Sequence, residues 1–213
     1  MSRRSAVFDL DGTILDARTR QVAVAEAAAL RIGRSLDGDA FWRAKRRGAT
    51  TAEAFRALGL AGRASTEADR WWREHIERAS WLLLDRPHRG ALSTLARIER
   101  DGWNVVVATA RRNRAGARRA FDALRLSSRA SLIVVDPDRA VLEKARVLAS
   151  ADAAWFVGDS EVDLRAAVAA DVPFRAVSTG QRDAAFLEAL GCHVVGTLAA
   201  AWRSLRETEG AIL

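Results

Sequence analysis

One cysteine, Cys192, occurs among 213 residues. That scarcity excludes an internal disulfide framework and any cysteine-based zinc site. Beside Gly191 and His193, Cys192 reads as a buried small residue rather than a nucleophile. Long apolar runs are missing too: none approaches the roughly 20 residues needed to cross a bilayer. The basic opening, Met1 to Ser5, leads into a short strand and acidic residues instead of the apolar core of a signal peptide. A cytoplasmic chain without a membrane partner is expected. Lysine is nearly absent. Of 34 basic residues only Lys45 and Lys144 are lysines, so arginine serves wherever any cation would do. The two lysines are the places to ask whether a compact ammonium is wanted. Internal repeats and low-complexity linkers are also lacking.

What is present is an ordinary globular composition, 49% hydrophobic and 29% charged, long enough for one sizeable core and an inserted unit. The formal charge of +7 and a pI near 11 raise the question of a polyanionic partner. The arginines are spread over many amphipathic stretches instead of one face, so no nucleic-acid partner is expected.

Two rhythms divide the chain. From Asp16 to about Arg89 the pattern is helical and strandless. It comprises an alanine-rich helix over Thr19 to Gly33, a helix capped by Asp39 and running through Arg47, and a capping box at Thr50 to Glu53 opening a helix to Leu58. A further helix opens at Ser65 or Thr66, runs to about Leu84, and carries Trp71, Trp72 and Trp81. After Arg89 helices alternate with short apolar strands: Trp103 to Ala108, Leu132 to Val135, Ala154 to Val157, Phe174 to Val177 and His193 to Val195. Together with Ala6 to Phe8 these predict a parallel sheet with helices on both faces. The helical stretch reads as an insertion with hinges near Thr13 to Asp16 and Asp85 to Arg89.

In such sheets the carboxyl ends of the strands converge and bind ligands. Asp9 and Asp11 follow the first strand, Thr109 to Arg112 follow Val105 to Ala108, and Gly158-Asp159-Ser160-Glu161-Val162-Asp163 follow Trp155 to Val157. Lys144 lies on the helix before that last strand. Taken singly, an Asp-Gly turn, a strand-end threonine or a helix lysine is commonplace. Together they place several carboxylates, a hydroxyl and an ammonium in one cleft. Clustered carboxylates call for a hard divalent cation such as magnesium, and helix N-termini suit a phosphate. One carboxylate can then attack phosphorus while another, two residues on, moves the proton.

Asp9-Leu10-Asp11-Gly12-Thr13, Thr109, Lys144 and Gly158 to Asp163 resemble, in order, the four motifs of the haloacid dehalogenase-like (HAD) hydrolase superfamily. The helical insertion resembles the cap of its phosphoglycolate phosphatase and β-phosphoglucomutase branches. The resemblance implies an α/β fold: a three-layer, parallel-sheet, Rossmann-like core of residues 1–15 and 89–213 with an α-helical cap domain of residues 16–88. It implies Asp9 as nucleophile, Asp11 as general acid and base, and Thr109 with the amide of Ala110 holding the phosphoryl group. Lys144 would neutralise charge. Mg2+ would be held by Asp9, the Asp11 carbonyl, Asp159 directly and Asp163, the last through water or by orienting Lys144. Many relatives carry a proline after that lysine. Here Ala145 follows, which leaves Arg139 or Arg146 as alternatives. The implied activity is hydrolysis of a small phosphomonoester, a phosphosugar or a phosphoglycolate-like acid, by a monomer or homodimer. A phosphomutase and a non-catalytic or nucleic-acid-binding relative remain as other readings. Asp11 argues against a dehalogenase. Phosphonatase chemistry would need Lys45 as an imine-forming amine, and nothing near it in sequence points to a lowered pKa.

Substrate selection is expected from the inserted helices. Trp42, Lys45 and Arg46, with Arg112 from the core, are the candidate contacts, whereas Trp71, Trp72 and Trp81 read as packing residues. His75 and His88 carry no assigned role.

Overall fold

The computed structural model describes residues 4–210. In chain order the elements are β1 (Ser5–Phe8), β2 (Leu15–Asp16), α1 (Arg18–Arg31), α2 (Gly38–Arg46), α3 (Thr51–Ala57), α4 (Arg63–His75), α5 (Ala79–Leu82) and β3 (Arg86–Pro87). Then come α6 (Ala91–Arg100), β4 (Asn104–Ala110), α7 (Arg114–Ala123), β5 (Ser131–Val135), α8 (Ala140–Ser150) and β6 (Ala153–Gly158). The chain continues through α9 (Glu161–Ala169), β7 (Phe174–Val177), α10 (Ala184–Ala189), β8 (Val194–Val195) and α11 (Leu198–Gly210).

Among the described residues a six-stranded parallel sheet runs β5-β4-β1-β6-β7-β8. The first strand is therefore central, and its neighbours on either side, β4 and β6, are far from it in sequence. Side chains alternate across the sheet. Ala6, Phe8, Val105, Val107 and Val157 face one layer with α6 and α11, while Val7, Val106, Ala108 and Phe156 face Val147 and Leu148 of α8 and Ala166 and Ala167 of α9. This gives the α/β, three-layer, Rossmann-like architecture. The first layer is anchored by Trp103, Trp155 and Trp202, whose rings meet at 4.3, 5.6 and 5.1 Å. Such offset and edge-on pairs add roughly 0.5–1.5 kcal/mol each beyond their buried area.

Helices α1 to α4 enclose a separate small core. Ala25, Ala28 and Ala29 of α1 meet Phe41, Ala54, Phe55 and Ala68, and the Phe41 and Phe55 rings lie 5.2 Å apart. Alanine on α1 lets the aromatic rings approach its backbone. Trp71 and Trp72 pack against the same core.

The structure corrects several local expectations. The segment read as strandless begins and ends in strands: β2 and β3 pair antiparallel, Leu15 with Pro87 and Asp16 with Arg86, where hinges were expected. Helix α2 is capped by Asp37, whose side chain accepts from the Ala40 amide, while Asp39 sits inside the first turn. The Thr50/Glu53 capping box is present. Helix α4 begins at Arg63 and stops at His75, so Trp81 belongs to the separate helix α5. Cys192 is half-buried rather than buried.

Candidate active site

Asp9 follows β1 directly, and its amide donates to Val157 O of β6 at 2.9 Å, so the sheet itself fixes its position. Thr109 and Ala110 lie within the end of β4, and Asp159 follows β6. All of them, with Asp11, Lys144 and Asp163, line one cavity of about 370 Å³ at the carboxyl edge of the sheet. Gly12 is required there. It adopts φ +90°, and a side chain on it would collide with the Asp159 carboxylate and the Gly180 backbone.

Of Lys144, Arg139 and Arg146, Lys144 is the one that bonds the Asp9 carboxylate among the described residues. Its Nζ donates to Asp9 Oδ1 at 2.5 Å and to Asp163 Oδ1 at 2.6 Å, with all three groups buried. Burial lowers the Lys144 pKa, but Asp163 and Asp9 outweigh it and hold the amine above its ordinary range. The carboxylates remain in excess. Oxygens of Asp9, Asp159 and Asp163 lie within 4.8 Å of one another. Burial, opposed by Lys144 and reinforced by Asp163, raises Asp9 to about 7. Burial and the Asp9 charge push Asp159 well up. Three buried carboxylates against one ammonium, all oxygen donors, are a fit for a hard divalent cation. Asp159 is oriented by Thr13 Oγ1 at 3.3 Å and the Gln181 amide at 2.6 Å, and Asp163 by Ser160 Oγ at 2.6 Å.

The Asp11 carboxylate stands apart from these three. It accepts from Arg111 Nε at 2.8 Å, Arg111 Nη2 at 2.5 Å and Arg20 Nη2 at 2.8 Å. Both arginines also reach Asp85, Arg20 at 2.7 Å and Arg111 at 3.1 Å. Burial pushes Asp11 up, but the two guanidiniums more than offset it and hold the carboxyl below its usual range. Sequence reasoning missed this square of two acids and two bases. Its one visible signal is Arg20, which shares the buried stripe of α1 with Val24, Ala25, Ala28 and Ala29.

The candidate substrate contacts fare differently. Arg112 lines the cavity, but its guanidinium pairs with Asp138 at 2.6 and 2.9 Å. Trp42, Lys45 and Arg46 are not among the cavity-lining residues. Trp42 is buried. Arg46 donates to Gly180 O and Ser178 O, both at 2.9 Å, and so ties α2 to the loop after β7. From that loop Arg182 returns bonds to Lys45 O and Ala49 O. Lys45 is buried, and burial together with the nearby Arg182 charge lowers its amine to about 7, contrary to the sequence expectation. Its Nζ donates to Thr51 Oγ1 at 3.0 Å and does not reach the cavity. The roof instead carries Arg20, Gln21, Thr51, Trp72, Arg73 and Glu77. Trp72 thus serves both the helical core and the cavity wall.

A sequence model of the haloacid dehalogenase-like hydrolases matches residues 4–171, and the chain belongs to that family. Similar solved structures include a haloacid dehalogenase-like family hydrolase from Streptococcus pneumoniae, 16% identical, with TM-score 0.75 over 95% of this chain and 97% of that one. A predicted phosphatase from Clostridium acetobutylicum is 16% identical, with TM-score 0.73 over 97% and 100%. A predicted phosphoglycolate phosphatase from Haemophilus somnus is 15% identical, with TM-score 0.72 over 95% and 98%. At these identities the likeness is one of fold. No curated relative is detected by sequence. Among the described residues no helix is long and apolar enough to cross a membrane.

Proposed function

We propose that this hydrolase is a magnesium-dependent phosphatase acting on a small phosphomonoester through an aspartyl-phosphate on Asp9, with residues 16–88 as its cap. The observation that carries the reading is the buried Asp9 carboxylate at the end of the central strand. It is bonded to Lys144 and grouped with Asp159 and Asp163 in a cavity whose wall includes Thr109 and Ala110. Asp9, Asp159 and Asp163, with the Asp11 carbonyl, would hold Mg2+, which supplies charge neutralisation and Lewis acidity at the phosphoryl group.

The chain's own groups divide the remaining work. Lys144 lowers the repulsion between the Asp9 carboxylate and an incoming phosphate dianion. An Asp9 oxygen forms the new bond to phosphorus as the ester oxygen departs, and that oxygen takes a proton from Asp11. Water then attacks phosphorus, gives its proton to Asp11, and inorganic phosphate leaves with Asp9 restored. The two arginines on Asp11 favour its carboxylate form, which suits the second step. Protonating a poor leaving group requires them to loosen. The Thr109 hydroxyl and Ala110 amide, both on the cavity wall, would hold phosphoryl oxygens.

The test is phosphate release from p-nitrophenyl phosphate and a panel of metabolite phosphates. Asp9→Asn is expected to lower the rate at least a thousandfold with unchanged circular dichroism, and excess chelator to abolish wild-type turnover. Activity surviving either treatment would sink the mechanism. Isomer formation without free phosphate would point to a mutase instead.

A further inference from the structure

Thr51 opens α3 and lines the cavity. Its Oγ1 accepts from Lys45 Nζ at 3.0 Å. A hydroxyl has one proton and two lone pairs, whereas an ammonium has three protons and no lone pair. While Lys45 is charged, the bond between them therefore runs one way, and the Thr51 proton must be donated elsewhere. No other described residue takes it. Lys45 itself has no carboxylate at ion-pair distance among the described residues. It lies between the Thr51 hydroxyl and the Trp72 ring, 5.8 Å from the ring centroid, so α2 places a buried cation behind two groups that face the cavity.

The charged groups of the wall are already engaged within the protein. Arg20 bonds Asp11 and Asp85, Arg73 bonds Asp69, and Arg112 bonds Asp138. Glu77 accepts from the amides of Arg112 and Asn113. What remains for a ligand on this wall, among the described residues, is the Thr51 hydroxyl proton, the Gln21 amide, whose Oε1 is buried without a partner, the likewise unpartnered Nη1 of Arg111, and an indole face.

We infer that Thr51 is a specificity-determining hydrogen-bond donor of this site, aimed into the cavity by Lys45, and that it selects phosphomonoesters whose leaving group is an uncharged, hydroxylated carbon skeleton. A polyol or sugar offers oxygen acceptors to Thr51 and a C–H face to Trp72. A second phosphate or a carboxylate finds there only guanidiniums whose charge is already paired with a carboxylate. This rests on the phosphatase reading above.

The experiment compares glycerol phosphate and hexose 6-phosphates with propyl phosphate, which keeps the primary alkyl ester and lacks hydroxyls, and with p-nitrophenyl phosphate. Assays are run at pH 6, where Lys45 is charged. Thr51→Val, which removes the donor at nearly constant shape, is expected to lower kcat/KM for the preferred polyol phosphate roughly five- to tenfold, the worth of one neutral hydrogen bond. The loss should fall on KM. Thr51→Ser should stay within threefold of wild type. Propyl and p-nitrophenyl phosphate should be hydrolysed alike by all three proteins. Lys45→Met should reproduce a smaller part of the Thr51→Val loss, again on polyols alone. Equal losses on propyl phosphate, no loss on polyols, or a wild-type preference for phosphoglycolate or a bisphosphate would overturn the inference and leave the phosphatase reading standing. A wild type that releases phosphate from no ester overturns both.

Discussion

Lys144 and Lys45, the chain's two lysines, are both buried, and their surroundings drive them in opposite directions. At the sheet edge Lys144 meets two carboxylates at 2.5 and 2.6 Å, and its amine is held above the ordinary range despite the burial. In the helical layer Lys45 meets a hydroxyl and a ring face, and its amine falls to about 7. The same side chain is thus an integral countercharge in one region and an uncompensated buried cation in the other. Burying a charge is costly unless it is paired, so the second position is held at a cost to stability.

The largest break in this comparison is expected from Lys144→Met. It leaves Asp9, Asp159 and Asp163 mutually repelling in a buried site. Removing one partner of such an arrangement costs about 3–5 kcal/mol. Urea unfolding should register that loss, and phosphate release should fall at least a thousandfold. Retention of a tenth of the activity would mean that another cation serves Asp9.

The identical substitution at the other site should have the opposite sign. Lys45→Met exchanges an unpaired buried amine for a thioether of similar length and is expected to stabilise the protein by about 2–4 kcal/mol below pH 7. The pH course follows from the direction of the shift. The folded-state value of about 7 lies below the ordinary lysine value of 10.5, so between these limits the unfolded chain binds more protons, and wild-type stability rises with pH. The advantage of Lys45→Met should therefore be full below pH 7 and shrink toward pH 10.5. Denaturation midpoints at pH 6, 8 and 10 measure it, and a gap that widens with pH would refute the assignment.

A third measurement concerns the carboxylates that Lys144 leaves uncompensated. With free magnesium a hundredfold above its dissociation constant, the folded state should gain about 2.7 kcal/mol. Calorimetry with and without chelator should show this in wild type, and the gain should vanish in Asp159→Asn.

The sheet and the carboxylate cluster were legible in sequence because each depends on local pattern. Short apolar runs mark the strands, and acids, a threonine and a glycine stand where those runs stop, so parallel topology alone brings Asp9, Thr109 and Asp159 together. The roof was less legible. β2 and β3 have two residues each, too short for any periodicity, and form only because the inserted segment returns to its starting point. The end of α4 at His75 has no proline or glycine to announce it. There the Ile76 carbonyl accepts from Arg20 and Glu77 turns to the amides of Arg112 and Asn113, contacts 56 and about 36 residues apart that override local helix preference. Lys45 and Arg46 were singled out as cap cations, but spacing could not tell which would face inward, pack, or bridge to the core.

The smallest effect is expected where sequence reasoning placed a substrate contact. Arg111 and Arg112 are adjacent, and the strand end turns them to opposite fates. Arg111 is buried in the square with Asp11 and Asp85, whereas Arg112 and Asp138 form a pair with side chains 49% and 65% exposed. An exposed pair of this kind contributes about 0–1 kcal/mol, because water screens it and two long side chains lose freedom to hold it. Arg112→Ala should therefore shift the melting temperature by no more than about 1–2 °C and leave KM for p-nitrophenyl phosphate within twofold. Arg111→Ala strands Asp11 and Asp85 and should be destabilising by several-fold more. A large KM increase in Arg112→Ala would restore Arg112 as a substrate contact and would mean that its bond to Asp138 opens when the cavity fills.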